Sequence, residues 1–180
     1  MKSIFILFLI VVCSFSTKAQ SYLGVVTKQV NFREGPGSTY EIISSLKPST
    51  QVFIISLDSE DDYYNVIDIR TNKTGYIYKS FLKIGKELEK SNGDFISASG
   101  SSSNGDTEVE VFNNTKETMT LKLNSTIYSF SPQETRTLTI SPMTYNFIAS
   151  EPGVTPFYGT KTLESGQRYT WKFFIRYTRR

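Results

Sequence analysis

The sequence predicts an all-β protein assembled from two small modules, and three observations carry that prediction. Short stretches alternate apolar and polar residues with a period of two, as in Val30-Asn31-Phe32-Arg33 and Thr107-Glu108-Val109-Glu110-Val111. Turn signals recur at short spacing, among them Gly35-Pro36-Gly37, Lys47-Pro48-Ser49-Thr50, Glu151-Pro152-Gly153 and Ser165-Gly166-Gln167. No stretch sustains a helical period. β-branched and aromatic residues crowd residues 22–84 and again 107–177, while the interval between them is polar and rich in Ser and Gly. The expected order is therefore a leader at 1–19, a first module at 22–84, a flexible linker at 85–106 and a second module at 107–180.

The leader carries a secretory pattern. Lys2 gives a positive start, residues 4–12 are an apolar run, and Thr17-Lys18-Ala19 offers small residues for cleavage. Cleavage is expected after Ala19, which makes the mature chain secreted or periplasmic. The apolar run falls short of the roughly 20 residues that a membrane span needs, so no integral span is expected in the mature chain. Cys13 does not make a lipoprotein signal, because the bulky Val12 stands where a small residue is required.

Composition excludes several function classes. The sequence contains no His, and its single Cys, Cys13, lies in the leader. A Ser-His-Asp triad, a Cys-His hydrolase and an ordinary zinc site each need an imidazole or a thiolate, so none is available. No cofactor and no metal are expected. The chain has 20 basic and 17 acidic residues, and a leader holding Lys2 and Lys18 leaves 18 against 17. A balance this even does not suit nucleic-acid binding. Carboxylates do occur together at Asp58, Glu60, Asp61 and Asp62, with Asp68 nearby. They read as an open acidic loop and a short strand without the spacing of a calcium loop or an evident cleft, and no catalysis is expected of them.

The first module resolves into short strands at 23–26, 30–33, 40–46, 51–57 and 63–69, followed by a Thr71-Asn72-Lys73-Thr74 hairpin turn into residues 75–78. Phe32, Ile42, Ile54, Val66 and Ile77 are the expected core, since a domain of about 60 residues buries barely enough surface to fold. The order of Val30-Asn31-Phe32-Arg33-Glu34-Gly35-Pro36-Gly37 and Tyr40, then Tyr63-Tyr64-Asn65-Val66, Thr74-Gly75-Tyr76-Ile77 and Lys79-Ser80-Phe81-Leu82, resembles bacterial SH3 domains over about residues 23–83. That resemblance implies a small, strongly bent SH3-like β-barrel with an aromatic-lined peptide groove and no chemistry of its own. Two positions that are usually Trp in the family hold Tyr63 and Tyr76 here, which keeps an aromatic face and adds a hydroxyl. The candidate groove residues are Arg33, Tyr40, Tyr63 and Tyr76, with the Arg33 guanidinium able to fork onto a peptide carboxylate.

Seven alternating stretches in the second module, at 107–112, 118–123, 125–130, 135–140, 144–150, 155–160 and 168–177, suggest a small β-sandwich. Ser141-Pro142-Met143-Thr144-Tyr145, the following Glu151-Pro152-Gly153 and Ser165-Gly166-Gln167 resemble PEGA-type and carboxypeptidase-regulatory-like sandwiches, with Met143 where that pattern has Gly. The resemblance implies an accessory surface module. Trp171, Phe173 and Ile175 should share one face of the last strand, with Lys172 and Arg176 on the other; Arg168, Arg179 and Arg180 complete a basic end.

The expected function is a non-catalytic binding protein whose first module recognises peptide or cell-wall (peptidoglycan) material. The alternative is a structural or assembly component of the cell envelope that binds another envelope protein and no small ligand.

Overall fold

The computed structural model describes residues 20–93, 95–102 and 105–174. The expected leader lies outside the described residues, as do Ile175 and the basic-end residues Arg176, Arg179 and Arg180. The architecture is all-β, as expected.

Seven strands form the first unit: β1 (Tyr22–Val26), β2 (Val30–Arg33), β3 (Ile42–Leu46), β4 (Gln51–Ile54), β5 (Tyr63–Asp68), β6 (Lys73–Tyr78) and β7 (Leu82–Glu87). One sheet joins them in the order β3-β2-β6-β5-β4-β1-β7. All its pairings are antiparallel, and a single 3-10 turn at Lys79–Phe81 leads into β7. The sheet wraps one core of Val26, Val30, Phe32, Leu46, Val52, Ile54, Val66, Ile77 and Leu82. Period-two alternation puts these residues inward; Val30, Phe32, Ile54, Val66 and Ile77 were read so from the sequence.

Ile42 is a correction. It was expected in the core and is 53% exposed. The β2–β3 register shifts between Phe32 and Arg33, so that Ile42 pairs with outward-facing Arg33. Ile43 takes the inward place and packs against the core. A slip of one residue reverses every side chain that follows.

The second unit stacks two four-stranded sheets. One runs β11 (Thr126–Phe130), β10 (Met119–Leu123), β13 (Thr144–Ser150), β14 (Phe157–Thr162); the other runs β12 (Thr135–Ile140), β9 (Thr107–Asn113), β15 (Gln167–Phe173), β8 (Ile96–Ser101). The β9–β15 pair is parallel and the rest are antiparallel. Between the sheets lie Val109, Val111, Leu121, Phe130, Phe147 and Trp171, each no more than 2% exposed. The Phe95, Phe147, Trp171 and Phe173 rings contact one another there, with Phe147 and Trp171 centroids 5.1 Å apart. Lys172 faces outward, its ammonium 5.4 Å from the Phe112 ring centre.

The stretch 85–106, expected as a flexible linker, is partly strand. β7 continues to Glu87, and β8 pairs along β15 with Ile96 opposite Trp171. Ile96 is 2% exposed and anchors this strand in the sandwich core. The remaining β8 residues, Ser97 to Ser101, are exposed. Backbone ladder bonds do not depend on apolar side chains, so a Ser- and Gly-rich run can form an edge strand beside a ready partner.

The two units also touch. β4 and β5 are apolar on both faces: Val52, Ile54 and Val66 face the barrel core, while Phe53 and Ile67 face outward and are still buried. What covers them is Tyr158 of β14, with Ile148 and Leu88 alongside. The Tyr158 hydroxyl donates to Leu88 O at 2.6 Å and accepts from Gln20 Nε2 at 2.9 Å. Farther along the seam, Asn72 Nδ2 donates to Thr120 Oγ1 and Ser150 O, both at 3.2 Å, and Gly153 N donates to Ile69 O at 2.7 Å. Two-sided burial explains the unbroken apolar run Val52-Phe53-Ile54-Ile55.

Candidate functional site

The groove is built on the outer face of β2, β3 and the β5–β6 hairpin. In β6, Gly75 and Ile77 face inward, so Tyr76 and Tyr78 face outward. Tyr63 pairs with Tyr78 and Asn65 with Tyr76 in the β5–β6 ladder, and Arg33 pairs with Tyr76 across β2–β6. Cross-strand partners share a face, so one outward row holds Arg33, Tyr76 and Asn65, and the next holds Tyr78 and Tyr63. Gly75 is the close approach that makes this possible. A Cβ there would lie 2.5 Å from Arg33 O and 2.6 Å from the Phe32 ring.

A depression of about 620 Å³ opens on this face, lined by Gln29, Asn31, Arg33, Ser45, Tyr63, Tyr78 and Phe81. One wall is aromatic. The Tyr63 and Tyr78 rings meet edge to face with centroids 5.3 Å apart, and Tyr78 meets Phe81 at 6.3 Å. The other wall is polar, with Gln29 Nε2 donating to Ser45 Oγ at 3.1 Å. Arg33 stands in the lining, and its Nη1 donates to Tyr40 O at 2.7 Å. A guanidinium has five N–H donors, so the fork keeps donors for a carboxylate or carbonyl.

Two of the four residues singled out from sequence, Arg33 and Tyr63, line the depression. Tyr76 shares the face without lining it, and its hydroxyl accepts from Asn65 Nδ2 at 3.3 Å. Tyr40 is 49% exposed and lies over Gly35, where its ring fills the place of a side chain. Its part is to cover the Gly35-Pro36-Gly37 loop and offer its carbonyl to Arg33. Sequence reasoning missed Tyr78 and Phe81. The signal for Tyr78 was parity, since it lies two residues beyond Tyr76 on one strand.

The acidic loop borders this wall. Glu60 and Tyr63 exchange backbone hydrogen bonds of 3.0 and 2.8 Å, and Asp61 and Asp62 take positive φ values of 47° and 66°. Asp62 Oδ1 lies 2.6 Å from Lys79 Nζ, and that hydrogen bond raises the Lys79 pKa. Among the described residues no group of three or more acidic, His or Cys side chains could hold a metal ion. Asp68 is structural. It is 1% exposed and accepts from Arg70 N at 3.1 Å and Thr71 Oγ1 at 2.7 Å, which fixes the hairpin turn.

This face of an all-β unit thus combines an open aromatic wall with a guanidinium at its side. A family model described as the bacterial SH3 domain matches residues 28–83, so this part of the chain is a bacterial SH3 domain. No curated protein matches the chain. No helix of the described residues is long and apolar enough to cross a membrane.

Proposed function

We propose that this is an exported, non-catalytic binding protein whose SH3 groove takes a peptide of the cell wall. In this reading residues 1–19 are an export signal cleaved after Ala19, residues 22–84 hold the binding site, and the sandwich is its accessory module. One observation supports it above the others: the Tyr63–Tyr78–Phe81 aromatic wall faces Arg33 across an open depression on the barrel face. Aromatic faces accept the apolar parts of a short peptide, and a guanidinium fork accepts its carboxylates.

The test is sedimentation of the protein with purified peptidoglycan, beside a Tyr63→Ala/Tyr78→Ala variant shown by its melting curve to be folded. The wild type should pellet with the wall and the variant should stay in solution. A wild type that stays in solution ends the reading.

A second reading, an assembly component that binds an envelope protein, has one observation in its favour. β8 lies at the outer edge of its sheet with residues 97–101 exposed, and such an edge can pair with a strand of another chain. Cross-linking in cells that yields one stoichiometric partner, without wall binding, would select it.

A further inference from the structure

The sandwich carries a polar group that neither reading uses. β13 ends at Ser150, and the chain turns through Glu151-Pro152-Gly153, with Gly153 at a φ of +80°. Glu151 is only 6% exposed, and its Oε1 has no hydrogen-bond partner. Native proteins satisfy nearly all buried polar atoms, so an unpartnered carboxylate oxygen at this depth keeps its capacity to accept from a donor.

Its surroundings indicate which ligand. Glu151 borders two adjoining depressions. The first, of about 190 Å³, is lined mostly by apolar groups, including Met119, Ala149, Val154 and Phe157. Phe157 is 42% exposed although it stands in a strand, so this apolar wall is open to solvent. The second, of about 590 Å³, is lined by Glu117 and Lys116 from the β9–β10 turn. Among the described residues lining the second depression, the charged groups are Glu151 and Glu117 against Lys116. An anion would be repelled there, and a purely apolar group would leave Oε1 open.

We propose that this is a subsite for a primary ammonium on an aliphatic stem, as carried by a lysine-type side chain of a peptide. The stem lies against Met119, Val154 and Phe157. The Glu151 carboxylate turns its covered Oε1 toward the ammonium, and Glu117 adds a second negative charge nearby. Burial pushes the Glu151 carboxyl above the ordinary glutamate range, Thr115 hydrogen bonding opposes this, and Glu117 adds to it. Ammonium binding restores the ionised form and therefore strengthens as pH rises from 4.5, the ordinary glutamate value.

The experiment titrates the whole protein by NMR with three probes: Nα-acetyl-lysine N-methylamide, its norleucine counterpart, and butylamine. Glu151→Gln is tested beside the wild type, with Tyr63→Ala as a control that keeps this site intact. The blocked lysine should bind the wild type and the Tyr63→Ala variant alike, and both its norleucine counterpart and the Glu151→Gln variant should bind at least about tenfold more weakly. Gln has the shape of Glu, and an unchanged or higher melting temperature shows that the variant is folded. Equal binding of lysine and norleucine probes, or unchanged binding by Glu151→Gln, overturns the proposal. So does binding of butylamine with none of the blocked lysine, or no binding at all. The barrel site and this one fail independently, since wall sedimentation reads one and the lysine probe the other.

Discussion

The Tyr158 ring of the sandwich meets the Phe53 ring of the barrel edge to face, with centroids 5.6 Å apart and planes at 70°. Phe53 is fully buried and Tyr158 is 5% exposed, so the contact lies inside a seam rather than on a surface. Aromatic pairs of this geometry contribute about 0.5–1.5 kcal/mol beyond the area they bury. The Tyr158 hydroxyl adds hydrogen bonds to Leu88 O and from Gln20 Nε2.

Removing that hydroxyl tests the seam with little change of shape. Tyr158→Phe should cost about 1–2 kcal/mol, because Leu88 O and Gln20 lose a buried partner. Tyr158→Ala should cost about 3–5 kcal/mol by opening a cavity over Phe53 and Ile67. Differential scanning calorimetry should show one transition for the wild type and two for Tyr158→Ala.

Asn113 should be among the costliest single polar losses in the sandwich. It is fully buried; its Nδ2 donates to Glu117 O, Phe130 O and Ser131 O at 2.9–3.1 Å, and its Oδ1 accepts from Thr115 Oγ1 at 2.8 Å. Asn113→Ala leaves several of these groups unpaired and should lower stability by about 2–4 kcal/mol in urea melts. Asn113-Asn114-Thr115 has the Asn-x-Thr form of a glycosylation acceptor, but this Asn is buried, and mass spectrometry should find no glycan on it even from a glycosylating host.

Within the groove, wall and rim should separate. Tyr63→Ala and Tyr78→Ala should each weaken wall binding about tenfold, roughly 1.4 kcal/mol. Arg33→Lys keeps the charge but loses the planar fork, and should weaken binding by a similar factor. Tyr40→Ala should change it far less, because that ring covers Gly35 rather than lining the depression. Quantitative pelleting over a concentration series gives all four values.

Glu151 gives the stability a pH signature. Its folded pKa is raised by burial above the unfolded value, so folding favours the protonated carboxyl. The stabilising contribution is full below the ordinary value of 4.5 and is lost as pH rises through the folded pKa. Urea melts of Glu151→Gln and wild type should agree below that pH. Above it the wild type should fall progressively behind the variant.

Much of this was legible in the chain because alternation is a local signal. The inward places of Phe32, Ile54, Val66 and Ile77 follow from period two and from turn residues, as do the seven sandwich strands from β9 to β15. What failed was not local. Ile42 depended on a register shift that no residue type announces. β8 depended on an edge offered by β15, far along the chain, and its own Ser and Gly pointed toward flexibility. Tyr78 and Phe81 were visible as aromatics, but which of the rings line the depression is a matter of three-dimensional placement. Phe53 and Ile67 did give notice: apolar residues at both parities in β4 and β5 meant a second covered face.

That second face makes the barrel a poor candidate for transplantation. The segment matched by the family model begins at residue 28, yet β1 lies at Tyr22–Val26 between β4 and β7. A fragment cut at the family boundary would lose an interior strand of its sheet. Starting the fragment at residue 20 and ending it at residue 90 would restore that strand but strip the cover from Phe53, Ile67 and Ile69. The barrel is here married to its neighbour, and an engineer wanting its groove would have to borrow both or repaint the exposed side with polar residues.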